Sequence, residues 1–367
     1  MYDVIILGAG VAGPYLATQL KGLDTLIIEK DQKPVLKDSG IVSNHFKKFF
    51  REPSLIQSRI EEMQFVSPSG QRFFLTADEP FAFILNRKQF ALHLRKKAKV
   101  SAKLKYEKVR KINYLENSVE VQTNKGIHSS KLLIGADGAS SIVRRSLGIR
   151  DPLFYTGIFA RTRKKIEKHT IGIYLNKYFS PDFFSWIIPQ NNEYGLTTAI
   201  RPYENFQYFK KQLNLPDGEI HSSPIPIGYT RSYAERTILL GDACGHVKPL
   251  TGGGIIFSMT AANHAACIIN RAFEKNRFDK DFLKQYEKQW KKDLKCEINK
   301  QLFARKIYRK LSNNDIDKMF RSFGPEIENL KVFDYDKLSG VWRRMPKWKL
   351  FKFLISSLPL LISKTYH

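Results

Sequence analysis

Cysteine is scarce in this chain of 367 residues: Cys244, Cys267 and Cys296 are the full complement, and no pair is spaced Cys-x-x-Cys. That excludes a disulfide framework and a cysteine-built zinc or iron–sulfur centre, no metal site is expected, and thiols this few fit a reducing cytoplasm. Acidic residues are outnumbered, 35 Asp and Glu against 61 Lys and Arg, for a formal charge of +26. Such an excess attracts something anionic, whether nucleic acid, a phospholipid surface or an acidic protein, although a lysine-rich proteome gives the same picture. No run of about 18 uncharged apolar residues occurs, so no transmembrane helix is expected. The apolar N-terminus lacks a basic flank and does not read as a signal peptide. Internal repeats, low-complexity linkers and the motifs of known nucleic-acid-binding modules are missing too, and no nucleic-acid partner is expected. What is present suffices for a sizeable core: 43% hydrophobic residues, with 26 Phe and 16 Tyr, in a length suited to two domains.

The N-terminal stretch YDVIILGAGVAGPYLATQLKGLDTLIIEKD reads as strand, glycine turn, helix and second parallel strand. Gly8-x-Gly10-x-x-Gly13 lies between the apolar run Val4 to Leu7 and the helix that ends near Gly22, which is the dinucleotide-binding fingerprint in the context it requires. Gly8 makes the turn, Gly10 admits a pyrophosphate beside Ala12 at the helix start, and Gly13 lets helix and strand pack. Glu29, followed by Lys30 and about 20 residues after the first glycine, is placed to bind a ribose hydroxyl. Further on, residues 61 to 77 alternate like a hairpin around Ser69-Gly70, 103 to 138 read as short strands of a meander, and 151 to 231 are strand-like. Helical patterns cover 253 to 273 and the very basic stretch 276 to 311.

The unusual local feature is VKPLTGGGII, where three glycines precede a helix. Glycine costs roughly 1 kcal/mol against alanine in a helix, so the triplet calls for a backbone that something approaches closely.

Four segments in order, Gly8–Gly13 with Glu29, Arg87 in LNRKQFALHL, Asp137-Gly138 through Arg144 in GADGASSIVR, and Gly241-Asp242 through Ile255, resemble hydroxylase-like flavoproteins with a glutathione-reductase-type FAD domain. Pro249-Leu-Thr251-Gly252-Gly253-Gly254-Ile255 stands where aromatic hydroxylases usually carry Pro-x-x-Gly-Gln-Gly, and is similar to the geranylgeranyl reductase family. That family's aromatic-x-Trp-x-x-Pro string has an approximate copy in Phe184-Ser-Trp186-Ile-Ile-Pro189. The same string approaches that of flavin-dependent halogenases, so an FAD-dependent monooxygenase or halogenase stands as the alternative. A binding protein on a retired flavin fold is a third reading, against which the complete FAD signature argues. One departure is notable: Ser39-Gly40 occupies the place where many members have Cys-Gly.

The resemblance implies an α/β fold, a glutathione-reductase-type Rossmann FAD domain (1–54, 85–150, 232–275) with an inserted antiparallel substrate domain (55–84, 151–231). A basic helical C-terminal region (276–367) follows. It implies FAD contacts by the fingerprint residues, Lys30, Ser39, Gly40, Arg87, Val109, Asp137, Asp242, Gly252, Gly253, Gly254 and Ile255. The backbone N–H groups of the triplet, at a helix start, suit the negative edge of a reduced flavin. Its implied reaction is reduction of carbon–carbon double bonds in a prenyl lipid, by hydride transfer coupled to protonation in a dry pocket. Phe184, Trp186 and Pro189 are the candidate substrate contacts, Trp186 and His246 the candidate catalytic residues, and His45 a second histidine considered as proton donor. NAD(P)H or a ferredoxin is the implied electron donor. The tail WRRMPKWKLFKFLISSLPLLISK reads as an interfacial anchor, too short to span, for peripheral contact with an anionic membrane.

Overall fold

The computed structural model describes residues 1–35, 37–328, 330 and 334–337, so the anchor-like tail lies outside the described residues. Two compact units divide the chain: Met1–Leu36, Asn86–Leu153 and Ile225–Ile298 form the first, and Lys37–Leu85, Phe154–Pro224 and the described residues from Asn299 on form the second. Seven α-helices are described: α1 (Ala12–Ala17), α2 (Arg87–Ala98), α3 (Ile142–Ser146), α4 (Pro202–Gln212), α5 (Ile255–Glu274), α6 (Lys280–Lys310) and α7 (Asn313–Glu328).

The first unit is built on a parallel sheet. Strands Thr237–Leu239, Ile127–Gly135, Tyr2–Leu7, Thr25–Glu29 and Ala102–Tyr106 lie side by side, with the short Tyr233–Ala234 at one edge. Register pairs Val4 with Thr25 and Ile5 with Leu133. The central runs Val4–Leu7, Leu26–Ile28 and Leu132–Ile134 are apolar because helices cover both faces of such a sheet, and Val4, Ile5, Ile6, Leu26 and Leu133 are fully buried. Of the meander expected over 103 to 138, Val109–Tyr114, Val119–Thr123 and Ile127–Gly135 pair antiparallel, whereas Ala102–Tyr106 pairs parallel with Thr25–Glu29.

The second unit carries a seven-stranded sheet in the order Glu219–Ile227, Leu153–Arg161, Glu193–Thr198, Ser185–Ile188, Ile171–Tyr174, Glu62–Val66 and Arg72–Thr76. The last two form the expected hairpin around Ser69-Gly70, with Phe65 opposite Phe73. A three-stranded sheet of Ile41–Ser43, Ala82–Leu85 and Ile56–Ile60 completes it.

Both divisions of the chain are discontinuous, but their boundaries differ mainly at three places, and residues 225–231, expected with the second unit, fall in the first. Residues 37–54, expected with the first unit, belong to the second, because Ile41–Ser43 pairs antiparallel with Ala82–Ile84. The region from 276 on is not separate: Trp290 and Tyr286 on α6 are buried in the first unit, where Trp290 Nε1 donates to Ser232 Oγ at 2.9 Å and Tyr286 Oη donates to Leu239 O at 3.1 Å. Beyond Asn299 the chain packs in the second unit, with Phe320 of α7 against Phe73, ring centroids 4.9 Å apart. Apolar contacts in two different cores decide this partition, and the basic helical pattern of the sequence does not reveal them.

Candidate functional site

In the first unit the glycine fingerprint forms a tight turn between strand Tyr2–Leu7 and α1. Gly8 has φ +103°, and a Cβ there would stand 2.3 Å from Ala136 O; a Cβ on Gly13 would stand 2.2 Å from Gly8 O. Both positions therefore exclude any side chain. Gly10 differs: a Cβ there meets nothing within 4 Å, so the turn is open on that side. Glu29, at the end of its strand, accepts from Ala9 N at 2.7 Å and from Asp31 N at 3.0 Å, which aims its carboxylate at the turn. Lys30 points to solvent, its side chain 65% exposed.

Arg95 was not anticipated. It is buried and clamps the same turn, with Nε donating to Ala9 O at 3.0 Å and Nη1 donating to Asp31 O at 3.0 Å and Gln32 O at 2.7 Å. In the sequence it is one basic residue in the run Arg95, Lys96, Lys97, and nothing local marks it as the inward one. Arg87 opens α2 and lies over the Phe90 ring, 5.8 Å from its centroid. Val109 starts its strand and packs, half-buried, on the core around Leu26 and Val121.

Asp137 lies at the start of the loop after strand Ile127–Gly135. Its Oδ2 accepts from Ile142 N at 2.7 Å and Val143 N at 3.2 Å, capping α3, while Oδ1 is buried without a hydrogen-bond partner. Burial pushes this carboxyl up, against the pull of those donors. Arg144, fully buried, ties the third and fourth motifs together: Nη2 donates to Ala139 O and Nη1 to Ala243 O, both at 2.7 Å, and Nε donates to Asp151 at 2.7 Å.

The glycine triplet leads into α5, whose N-cap is Gly254 and whose first residue is Ile255. Gly252 has φ +73°; a Cβ on Gly253 would lie 3.1 Å from Lys248 Cε, and one on Gly254 would lie 3.2 Å from Asp242 Oδ1. The triplet thus lets a buried lysine and the Gly-Asp carboxylate crowd against the backbone at the start of a 20-residue helix, whose N-terminus favours negative charge.

His246 lies in the interior of the first unit. It is completely buried, its Nδ1 accepts from Gly241 N at 3.2 Å, and its ring stands edge-on to Trp290, centroids 4.6 Å apart. Burial, helped by His264, holds its pKa down to about 3. A ring so enclosed and neutral supports the Gly241–Cys244 turn. Its folded pKa lies below the unfolded value of 6.5, so its contribution to stability is complete above 6.5 and is lost as pH falls toward 3. The protein is expected to be about 2 kcal/mol less stable at pH 5 than at pH 7 through this residue. Urea titrations of wild type and His246→Gln at both pH values check this; an equal pH dependence in the two would refute it.

The second unit contains a separate constellation. The Phe184-x-Trp186 string runs into strand Ser185–Ile188, so Trp186 and Ile188 share a face. Trp186 pairs with Gly195, where a Cβ would lie 2.7 Å from Trp186 Cζ2. Phe184 and Trp186 are half-buried, with rings 6.0 Å apart edge to face. Pro189 begins a 3-10 turn that ends at Asn192 with φ 47° and delivers the chain into strand Glu193–Thr198.

Glu193 was also missed. It is opposite Arg161 on one side and Ile188 on the other, and it is 0% exposed. Its Oε2 accepts from Arg161 Nε at 3.1 Å and Nη2 at 3.0 Å. Its Oε1 accepts from Trp186 Nε1 at 3.1 Å and from Ser39 Oγ. Burial pushes the carboxyl up against the lowering effect of Ser39, Arg161 and Trp186. Ser39 and Gly40, expected beside the other cofactor residues, are anchored in this second unit, with Asn191 Nδ2 donating to Ser39 O at 3.0 Å. Nothing in the sequence EYGLTT marks Glu193 as buried, and only the strand's burial at every position in the fold shows it. His45 lies elsewhere, its Nδ1 3.2 Å from Asp336 Oδ2.

No family model matches the chain. It is 25% identical over 368 residues to the digeranylgeranylglycerophospholipid reductase of Methanocaldococcus jannaschii, an alignment covering 92% of this chain and 94% of that protein. The crystal structure of a geranylgeranyl bacteriochlorophyll reductase-like protein from Thermoplasma acidophilum superposes with a TM-score of 0.86 at 19% identity, covering 98% and 99% of the two chains. A halogenase crystallised with phloroglucinol and FAD gives 0.65 at 18% identity, covering 98% and 91%. These likenesses establish the mixed α/β fold that the motifs imply.

Proposed function

We infer that this chain is a member of the geranylgeranyl reductase family, an FAD-dependent oxidoreductase that saturates carbon–carbon double bonds in the prenyl chains of a membrane lipid or its precursor. The observation that carries the reading is the end-to-end similarity to a digeranylgeranylglycerophospholipid reductase. Several residues of the first unit suit FAD. The turn is open at Gly10, Glu29 presents a carboxylate to it, and Asp137 keeps a buried oxygen without a partner. Gly8, Gly10, Ala12, Gly13, Glu29, Arg87, Asp242 and the Gly252–Ile255 backbone would hold the cofactor.

Bound and reduced, FAD supplies hydride. The chain does the rest. The start of α5 stabilises negative charge at the glycine triplet. Phe184 and Trp186 offer an apolar wall that keeps water from a prenyl chain, as a carbocation-like transition state demands. Among the described residues no helix is long and apolar enough to cross a membrane, and the charge of +26 supports peripheral contact with an anionic bilayer. Electrons come from NAD(P)H or from an acidic ferredoxin drawn to the same basic surface.

The test is mass spectrometry after anaerobic incubation of dithionite-reduced protein with a geranylgeranyl ether phospholipid in anionic or neutral vesicles. Addition of hydrogen in pairs is expected, faster on anionic vesicles at low salt. No mass change with FAD bound and reduced would sink the reductase reading in favour of oxygen- or halide-dependent chemistry, and equal rates on both vesicles would sink the membrane contact.

A further inference from the structure

We propose that Glu193, acting through the Ser39 hydroxyl, delivers the proton that completes saturation of the prenyl double bond. This role rests on the functional reading above, which leaves the proton source open. Four features of the second unit carry it. Glu193 is the buried carboxyl of the aromatic strand pair, placed by register between Arg161 and Ile188. Arg161 engages Oε2 twice, so a proton on this carboxyl resides on Oε1. Oε1 is the oxygen that Ser39 Oγ meets, and Trp186 Nε1 meets it too. Ser39, Trp186 and Phe184 are each half-buried, whereas Glu193 is fully covered, so the hydroxyl and the aromatic wall are the reachable parts of the cluster.

The charged groups around Glu193 are few. Arg161 faces it from the neighbouring strand, and Arg161 Nη2 also reaches Asp38 O at 3.4 Å. Asp38 turns its own carboxylate to Gly40 N, at 2.8 Å. This fixes the loop bearing Ser39 from both ends, together with the Asn191 contact to Ser39 O. Burial favours the neutral acid and Arg161 opposes it, a balance suited to a group that must both hold and release a proton.

In the step, the Oγ–H bond of Ser39 breaks as a C–H bond forms at one alkene carbon, using the π electron pair. The Glu193 proton moves from Oε1 to Ser39 Oγ, leaving a carboxylate beside Arg161 that solvent later reprotonates. The other alkene carbon takes up hydride, whose two electrons the reduced cofactor would supply. Trp186 is a positioning residue for the acid as well as part of the wall.

The experiment combines two readouts on the FAD-loaded protein. Infrared spectra across a pH series should show a carboxylic-acid C=O band that titrates above the ordinary carboxylate range and is missing from Glu193→Gln. Saturation kinetics should show kcat lowered about 100-fold or more in Glu193→Gln and in Ser39→Ala, with KM little changed and the alkaline fall in rate lost in Glu193→Gln. Ser39→Ala leaves the Arg161–Glu193 pair intact, so it guards against a folding defect in the carboxyl variant. Ser39→Thr, which keeps a hydroxyl, should retain most of the rate. Wild-type saturation with Ser39→Ala at full kcat, or with no band that depends on Glu193, overturns the proton role alone. Wild-type protein that saturates nothing overturns the functional reading and this role with it.

Discussion

Gly13→Val protein is expected to purify without FAD and with its first unit destabilised by about 3 kcal/mol, the upper end of ordinary overpacking. The cause is steric. Even the Cβ would sit 2.2 Å from Gly8 O and 3.1 Å from Ile6 Cγ2, and Gly8 cannot retreat because Ala136 O already fills the space behind it. Flavin absorbance per mole of protein and urea unfolding check both parts. Gly10→Ala provides the contrast: with nothing within 4 Å of its Cβ, stability should change by no more than about 0.5 kcal/mol. Any fall in FAD affinity there then measures the approach of the ligand alone. Stoichiometric FAD in Gly13→Val would overturn the assignment of this turn.

Arg144→Leu should be at least as damaging, about 3 kcal/mol or more, at about 1–3 kcal/mol for each of two buried carbonyls left without a donor. Asp151 is 47% exposed at its side chain and can return to water, so the ion pair itself is a minor loss. The damage falls on Ala139 O and Ala243 O, two carbonyls that lose a buried guanidinium donor. Those carbonyls belong to the Asp137 loop and the Asp242 turn, so FAD affinity should fall together with thermal stability. Arg144→Lys should recover only part of the loss, since a point charge cannot serve three acceptors in the fork geometry. Calorimetry and flavin titration of both variants decide it; an Arg144→Leu protein of wild-type stability would show that these carbonyls find other donors.

The two predictions differ in how much of their basis could be read in advance. Gly13 announces itself, because a glycine fingerprint specifies backbone conformation over a handful of adjacent residues and the flanking apolar runs identify strand and helix. Arg144 was recognisable as part of a motif, but its partner Ala243 is 99 positions away. His246 shows the opposite case. A histidine beside the Gly-Asp motif suggests chemistry, and only the rings of Tyr286 and Trp290, brought in by α6, show that it is enclosed.

By itself the sequence determined the α/β class, the glycine turn with Glu29, the crowded start of α5 and the aromatic face carrying Phe184 and Trp186. Each is a short-range property: periodicity, glycine spacing, a helix boundary. Tertiary structure alone decided that Arg95 and not its basic neighbours clamps the turn, that residues 37–54 join the second unit, and that Glu193 meets Ser39 across 154 positions. Those outcomes depend on strand register and on which apolar core wins a segment, and a one-residue shift in register would have turned Glu193 to the opposite face of its sheet.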